Sequence, residues 1–163
     1  MCIKTSVVAA ACLAVAGAAH AAGTVEVSFI DSVPFTDAGI ARYDKEATLQ
    51  TLEQHLKSLG QRHLADGQTL KIEVLDIDLA GRTRWLSGPA YEVRVMKDWV
   101  DPPRISLRYS LHADGREIRS DAETVSDFGY LNRFTSRRVD GPLPYEKQML
   151  DRWFRERFAE SHP

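Results

Sequence analysis

Val25, Val27 and Phe29 alternate with Thr24, Glu26 and Ser28. A period of two puts one set on each face of an extended chain, so a strand is predicted here. Asp31-Ser32-Val33-Pro34 ends it, because Pro34 has no N–H for a ladder. From about Tyr43 the period changes. Leu49, Leu52, Leu56 and Leu59 stand three and four apart, one stripe of a helix. Glu53 and Lys57 flank that stripe at i,i+4. Either Gly60 caps the helix or it runs on to Leu64 and stops at Asp66-Gly67. The leucines span too few heptads for a coiled coil, so packing on the protein's own sheet is expected.

Leu70, Ile72 and Val74 then alternate with Lys71 and Glu73, and Leu75, Ile77 and Leu79 continue on the opposite parity. A one-residue flip inside a strand is what a β-bulge absorbs. Tyr91, Val93 and Val95 mark a third strand. Ile105, Leu107, Tyr109 and Leu111 alternate with Arg104, Ser106, Arg108 and Ser110, and Asp114-Gly115 follows as a hairpin turn. With those two residues as the turn, Leu111 opposes Ile118, Tyr109 opposes Ser120 and Leu107 opposes Ala122 on a covered face. Arg108 meets Asp121 and His112 meets Glu117 on a wet one. A second helix starts at Pro144, with Tyr145, Met149 and Trp153 in one row and Leu150, Phe154 and Phe158 in the next. Its opposite side mixes charges of both signs, which favours core packing over a membrane surface. The order β-α-β-β-β-β-α predicts an α+β fold: two layers, with a mostly antiparallel sheet of about five strands and both helices on one face.

The N-terminus changes the setting. Lys4, the uncharged run Thr5 to Ala19 and the small residues of Ala19-His20-Ala21 read as a secretory signal peptide cut before Ala22. The run is too short to span a bilayer of roughly 30 Å, and no later stretch is longer. Ala9-Ala10-Ala11-Cys12 loosely resembles a lipidation site, with Ala9 in place of the usual leucine. The expected organisation is a signal peptide over 1–21 and a single domain over 22–163, placed in the periplasm. Cys2 and Cys12 both leave with the signal, so the remaining chain has no thiol for a disulfide or a metal. The net charge of −2 argues against a nucleic-acid partner, which usually requires a strong basic excess.

Several segments taken together resemble a known bacterial family. They are Phe29-Ile30-Asp31 with Phe35-Thr36-Asp37, Asp76-Ile77-Asp78-Leu79-Ala80-Gly81, Pro103 to Tyr109, Ser126-Asp127-Phe128-Gly129-Tyr130-Leu131, and Tyr145-Glu146-Lys147 with Trp153-Phe154. The chain is similar through them to the domain-of-unknown-function family 3016, and D-x-D-L-A-G is the most specific piece. The resemblance implies an exported single domain. It carries over no catalytic residue.

The candidate chemistry centres on Asp76 and Asp78, two apart on one strand face and about 6.6 Å between Cα atoms. Arg82 and Arg94 are the expected partners, with Asp37 and Asp127 joining. These residues form either a cation or acid–base site or an ion-pair network that fixes the strand end; the network is expected, with no bound metal and no cofactor. Arg133, Arg137 and Arg138 around Phe134 form a candidate anion site, but a solvated loop paired with Asp140 is the expected reading. His55, His63, His112 and His162 fall too far from a suitable serine or from each other for a triad or a zinc site. The expected function is a non-enzymatic accessory or binding module for an envelope protein, lipid or glycan. The alternative is a periplasmic enzyme or cation-binding protein using Asp76 and Asp78. N-terminal sequencing of exported protein is expected to begin at Ala22; a lipid-bearing start at Cys12 would replace this reading with a lipoprotein.

Overall fold

The computed structural model describes residues 22–30, 34–39, 45–86, 91–97, 99–132 and 141–159. The predicted signal segment over 1–21, Cys12 within it, and the candidate anion-site residues Arg133, Arg137 and Arg138 lie outside them. The element order is β1 (Thr24–Phe29), α1 (Lys45–His63), β2 (Gln68–Asp78), β3 (Arg82–Leu86), β4 (Tyr91–Val95), β5 (Arg104–Ala113), β6 (Arg116–Ser126) and α2 (Pro144–Phe158). Four strands form one sheet in the order β1-β2-β5-β6, and β3-β4 form a separate ribbon. Among the described strands β1 and β2 are the parallel pair, joined through α1. The fold is α+β as expected, with one strand more than predicted and two sheets instead of one. The extra strand is β3. It belongs to a ribbon outside the main sheet and leaves Arg82 and Arg84 exposed, so it has no apolar alternation to betray it.

The core lies on one face of the β2–β5 ladder. Leu70 pairs with Leu111, Ile72 with Tyr109, Val74 with Leu107 and Ile77 with Ile105, and all eight are buried. The register shifts between Val74 and Asp76, so Leu75 is the extra residue and stands 37% exposed. This is the bulge the parity flip predicts. It returns Ile77 and Leu79 to the buried face that Val74 left.

Both helices contribute to this core. Leu52, Leu56 and Leu59 come from α1, and Met149, Leu150, Trp153, Phe154 and Phe158 from α2. Gly60 does not cap α1. It sits inside the helix, where an added Cβ would lie 2.3 Å from Val25 Cγ2, so its lack of a side chain sets the approach of α1 to β1. The helix ends before Gly67, which adopts φ +78°. The two helices meet at His55, whose Nε2 lies 3.0 Å from Asp151 Oδ1 and 3.2 Å from the Lys147 carbonyl oxygen. Tyr109 points into the aromatic group of Trp153 and Phe158, and its hydroxyl has no hydrogen-bond partner among the described residues.

The hairpin corrects part of the predicted register. Asp114 and Gly115 do form the turn, both with positive φ (51° and 74°). Ala113 pairs with Arg116 and His112 with Glu117, as predicted. Then the register shifts, Leu111 faces Arg119, and every later pair moves by one. Ile118 is the extra residue and is 55% exposed, so it does not cover Leu111. Tyr109 opposes Asp121, Arg108 opposes Ala122 and Leu107 opposes Glu123. Arg108 turns to β2 instead, donating from Nε to Glu73 Oε2 at 2.6 Å. On β5 the assignment of faces stands, with Leu107 buried and Arg108 exposed; on β6 it reverses, because the shift sets Asp121 opposite buried Tyr109 and Ala122 opposite exposed Arg108. Leu107→Ala is therefore expected to cost about 2–5 kcal/mol and Arg108→Ala about 0–1 kcal/mol. Urea unfolding of both variants checks this, and a larger loss in the arginine variant would reverse the faces.

Candidate functional site

The D-x-D-L-A-G segment closes β2, and neighbouring chain wraps around it. Residues 34–39 run beside it: the Asp37 N–H donates to the Ile77 carbonyl at 2.8 Å, and the Leu79 N–H to the Asp37 carbonyl at 3.1 Å. Asp37 thereby bridges Asp78 in parallel. Gly81 adopts φ +75°, and an added Cβ would lie 2.6 Å from the Val95 carbonyl oxygen. The turn into β3 is thus closed to any side chain. The Gly81 N–H donates to the Asp101 carbonyl at 2.9 Å.

Each predicted residue takes its own partner. Among the described residues Asp76 forms no salt bridge to an arginine. Its two oxygens accept from the backbone N–H and the hydroxyl of Thr36, both at 2.8 Å. Arg94, nearly buried, grips Asp37 Oδ2 through both terminal nitrogens, with Nη1 at 2.9 Å. Arg82 pairs with Asp101 at 2.8 Å. Asp127 is 2% exposed and held elsewhere, by Arg152 Nη1 at 3.1 Å and by the Gly129 N–H at 3.2 Å. The expected pairing with Arg82 or Arg94 is thus corrected for Asp76, while Asp78 stays under the influence of Arg104 and Arg82 without a salt bridge among the described residues. The hydroxyl and backbone N–H of Thr36 satisfy Asp76, and Arg82 and Arg94 bind Asp101 and Asp37.

Asp78 differs from its neighbours. It is half-buried, and no hydrogen bond to its carboxylate forms among the described residues. Burial raises its pKa above the usual carboxylate range; Arg104 and Arg82 pull it back, while Asp37 and Asp76 add to the rise. Glu146, at the third position of α2, lies deeper. It is 3% exposed, and Oε1 accepts the Ala80 N–H at 2.8 Å, which locks the helix start to the D-x-D-L-A-G turn. Burial raises its carboxyl, and Asp37 adds to the rise. The Ala80 N–H, its own N–H and Arg94 oppose it. Sequence reasoning missed Glu146 as a site residue. Its one signal was its place in the first turn after Pro144, where a carboxylate suits the helix end. Among the described residues no group of three or more His, Asp or Glu is placed to hold a metal ion.

At the same end of the sheet, Tyr130 is buried. Its hydroxyl accepts the Lys97 N–H at 3.2 Å and donates to the Lys97 carbonyl at 3.0 Å. Its ring meets Tyr145 edge-on with centroids 5.0 Å apart. These bonds tie the Lys97–Asp101 turn to the Asp127–Asn132 turn. Trp99 and Val100 protrude from the first, 65% and 47% exposed, and Phe128 from the second, 53% exposed. Trp99 adopts φ 60° and Asp101 φ 50°. A left-handed backbone at a bulky residue is strained, so the tryptophan is held outward at a cost.

The open face of the sheet carries a shallow cleft of about 360 Å³ lined by Lys71, Glu73, Arg108, Ser110, Glu117 and Ser120. His112 does not bond Glu117 there. Its Nε2 lies 3.0 Å from Ser110 Oγ, and Glu117 accepts from Ser120 Oγ at 2.6 Å.

The raised Glu146 carboxyl has a consequence for pH. A carboxyl raised in the folded state keeps its proton longer there than in the unfolded chain. Its contribution is therefore complete below the unfolded value, near 4.5, and is lost as pH rises through the folded one. Glu146→Gln retains a carbonyl acceptor for the Ala80 N–H and removes the titration. Its melting temperature relative to the parent is expected to increase steadily above about pH 4.5. A difference that stays flat from acid to neutral pH would show that Glu146 does not titrate in this way.

No curated protein sequence matches the chain. Among solved structures, that of a minor lipoprotein from Acinetobacter baumannii covers 87% of this chain and 98% of its own, at 13% identity and a TM-score of 0.32. That likeness is too loose to define a shared fold. The model of one family, described as a protein of unknown function, matches residues 23–156, nearly everything from the start of β1 to the last turns of α2. This chain belongs to that family, DUF3016.

Proposed function

We propose that this is a non-enzymatic accessory or binding module of the bacterial envelope, and that its contact surface is the turn pair carrying Trp99, Val100 and Phe128. One observation carries the reading. Three large apolar side chains stand exposed on turns that the Tyr130–Lys97 hydrogen bonds tie together, with a strained backbone under the tryptophan. Exposed aromatic residues on a rigid support are the usual anchors of recognition. The carboxylates of the predicted cluster support the same reading from the other side. Thr36 holds Asp76, Arg94 holds Asp37 and Arg152 holds Asp127, which is how a scaffold uses charge.

Asp78 favours a second reading, an enzyme or cation-binding protein. Its half-buried carboxyl is raised by burial and free of hydrogen bonds among the described residues. One comparison separates the two. In pull-downs from envelope extract, Trp99→Ala with Phe128→Ala is expected to lose the species captured by the parent, and Asp78→Asn to retain it. Loss in the Asp78 variant alone, accompanied by a stoichiometric divalent cation in the parent, would favour the second reading.

A further inference from the structure

The sheet ends at β6, whose outer edge has no neighbour among the described strands. Every residue from Arg116 to Ala122 is exposed, on both faces, because α2 covers only the later part of the strand. The Ala122 N–H shows how the edge is satisfied: it donates to the adjacent Asp121 carboxylate at 2.8 Å and not to another strand. Such an edge is a template for a further strand unless something rejects every candidate.

The charges on β6 select one candidate. We propose that β6 is the seam of a two-fold homodimer in which the strand pairs antiparallel with a second copy of itself, centred on Ser120. In that register Arg119 faces the second copy's Asp121, and the symmetry repeats the pair. Ile118, exposed in the single chain, faces the second copy's Ala122, also twice. Opposite charges and apolar contacts therefore meet on opposite faces of the new ladder.

Neighbouring registers fail. Centring on Arg119 or on Asp121 sets that residue against its own copy. Centring on Ala122 sets Asp121 against Glu123. Centring on Ile118 needs Glu117 and Arg119 in one regular ladder, and the bulge lies between them. The bulge also ends the seam at Ile118. Beyond it Glu117 does not follow the ladder, and Glu123 is already neutralised by Arg157 at 3.0 Å and bonded by Trp153 Nε1 at 2.9 Å. Arg119 keeps one nitrogen on the Arg157 carbonyl at 2.8 Å, which holds its guanidinium beside the strand. A seam this short makes a concentration-dependent dimer.

Charge reversal tests both the dimer and its register. In sedimentation velocity over a concentration series, Arg119→Asp alone and Asp121→Arg alone should each weaken self-association about tenfold or more, because two cross-strand pairs turn repulsive together. Mixing the two variants should restore it, since each reversed residue then meets its complement in the other chain. Restoration also shows that both variants are folded. A parent protein still monomeric at roughly 1 mM would overturn the proposal. So would a dimer indifferent to both reversals, or two weakened variants that do not rescue each other. None of these outcomes depends on Trp99 or Phe128, so the proposed contact surface stands or falls separately.

Discussion

The antiparallel pairing of β2 with β5 organises this domain. These two central strands supply most of the buried sheet face, and the helices cover only that face. The pairing works over its whole length because Leu75 steps out of the ladder. Without that step, the apolar residues after Val74 would point to the open side, and Asp76 and Asp78 would point into the core. The bulge thus sets both the continuity of the core and the position of the two carboxylates.

The helices are attached to this ladder by a few buried polar contacts as well as by packing. Glu146 fixes the start of α2 to the Ala80 N–H. Glu123 fixes its later turns to β6 through Trp153 and Arg157, and the Arg157 hydrogen bond holds the Glu123 carboxyl below its usual range despite partial burial. His55 and Asp151 join the two helices; burial alone would raise Asp151, but the His55 hydrogen bond and charge, with Arg62 and Arg155, hold it below its usual value. Polar contacts of this kind specify where a helix sits, because each leaves a buried group unsatisfied if the helix shifts.

Local patterns were legible in the sequence, and distant pairings were not. Both helices, the alternation of β1, β2 and β5, the bulge and the Asp114-Gly115 turn all follow from periodicity or turn chemistry acting within a few residues. The second bulge, at Ile118, was hidden because an apolar residue there also suited an unbroken register. At the site, sequence proximity suggested Arg82 and Arg94 as partners for Asp76 and Asp78. The true partners of Asp76 and Ala80 are Thr36 and Glu146, brought in from residues 34–39 and from α2. Nothing in the local pattern distinguishes a carboxylate that reaches across the fold from one that remains in water. The Trp99 turn was missed for a related reason. A single exposed tryptophan is invisible to periodicity, and its backbone strain exists only in three dimensions.

Topology also sets an order of assembly. The β5–β6 hairpin needs only its own tight turn to form. The β2–β5 ladder must first close a loop that contains the whole β3–β4 ribbon, and β1 can join only after α1 has carried the chain across the sheet. Closing a loop costs entropy before its contacts repay it, so non-local pairs form late. β1 is also short, has a single strand neighbour and begins at an exposed pair of threonines, Thr24 and Thr69. The parallel pairing of β1 is therefore expected to form after the hairpin at the other side of the sheet.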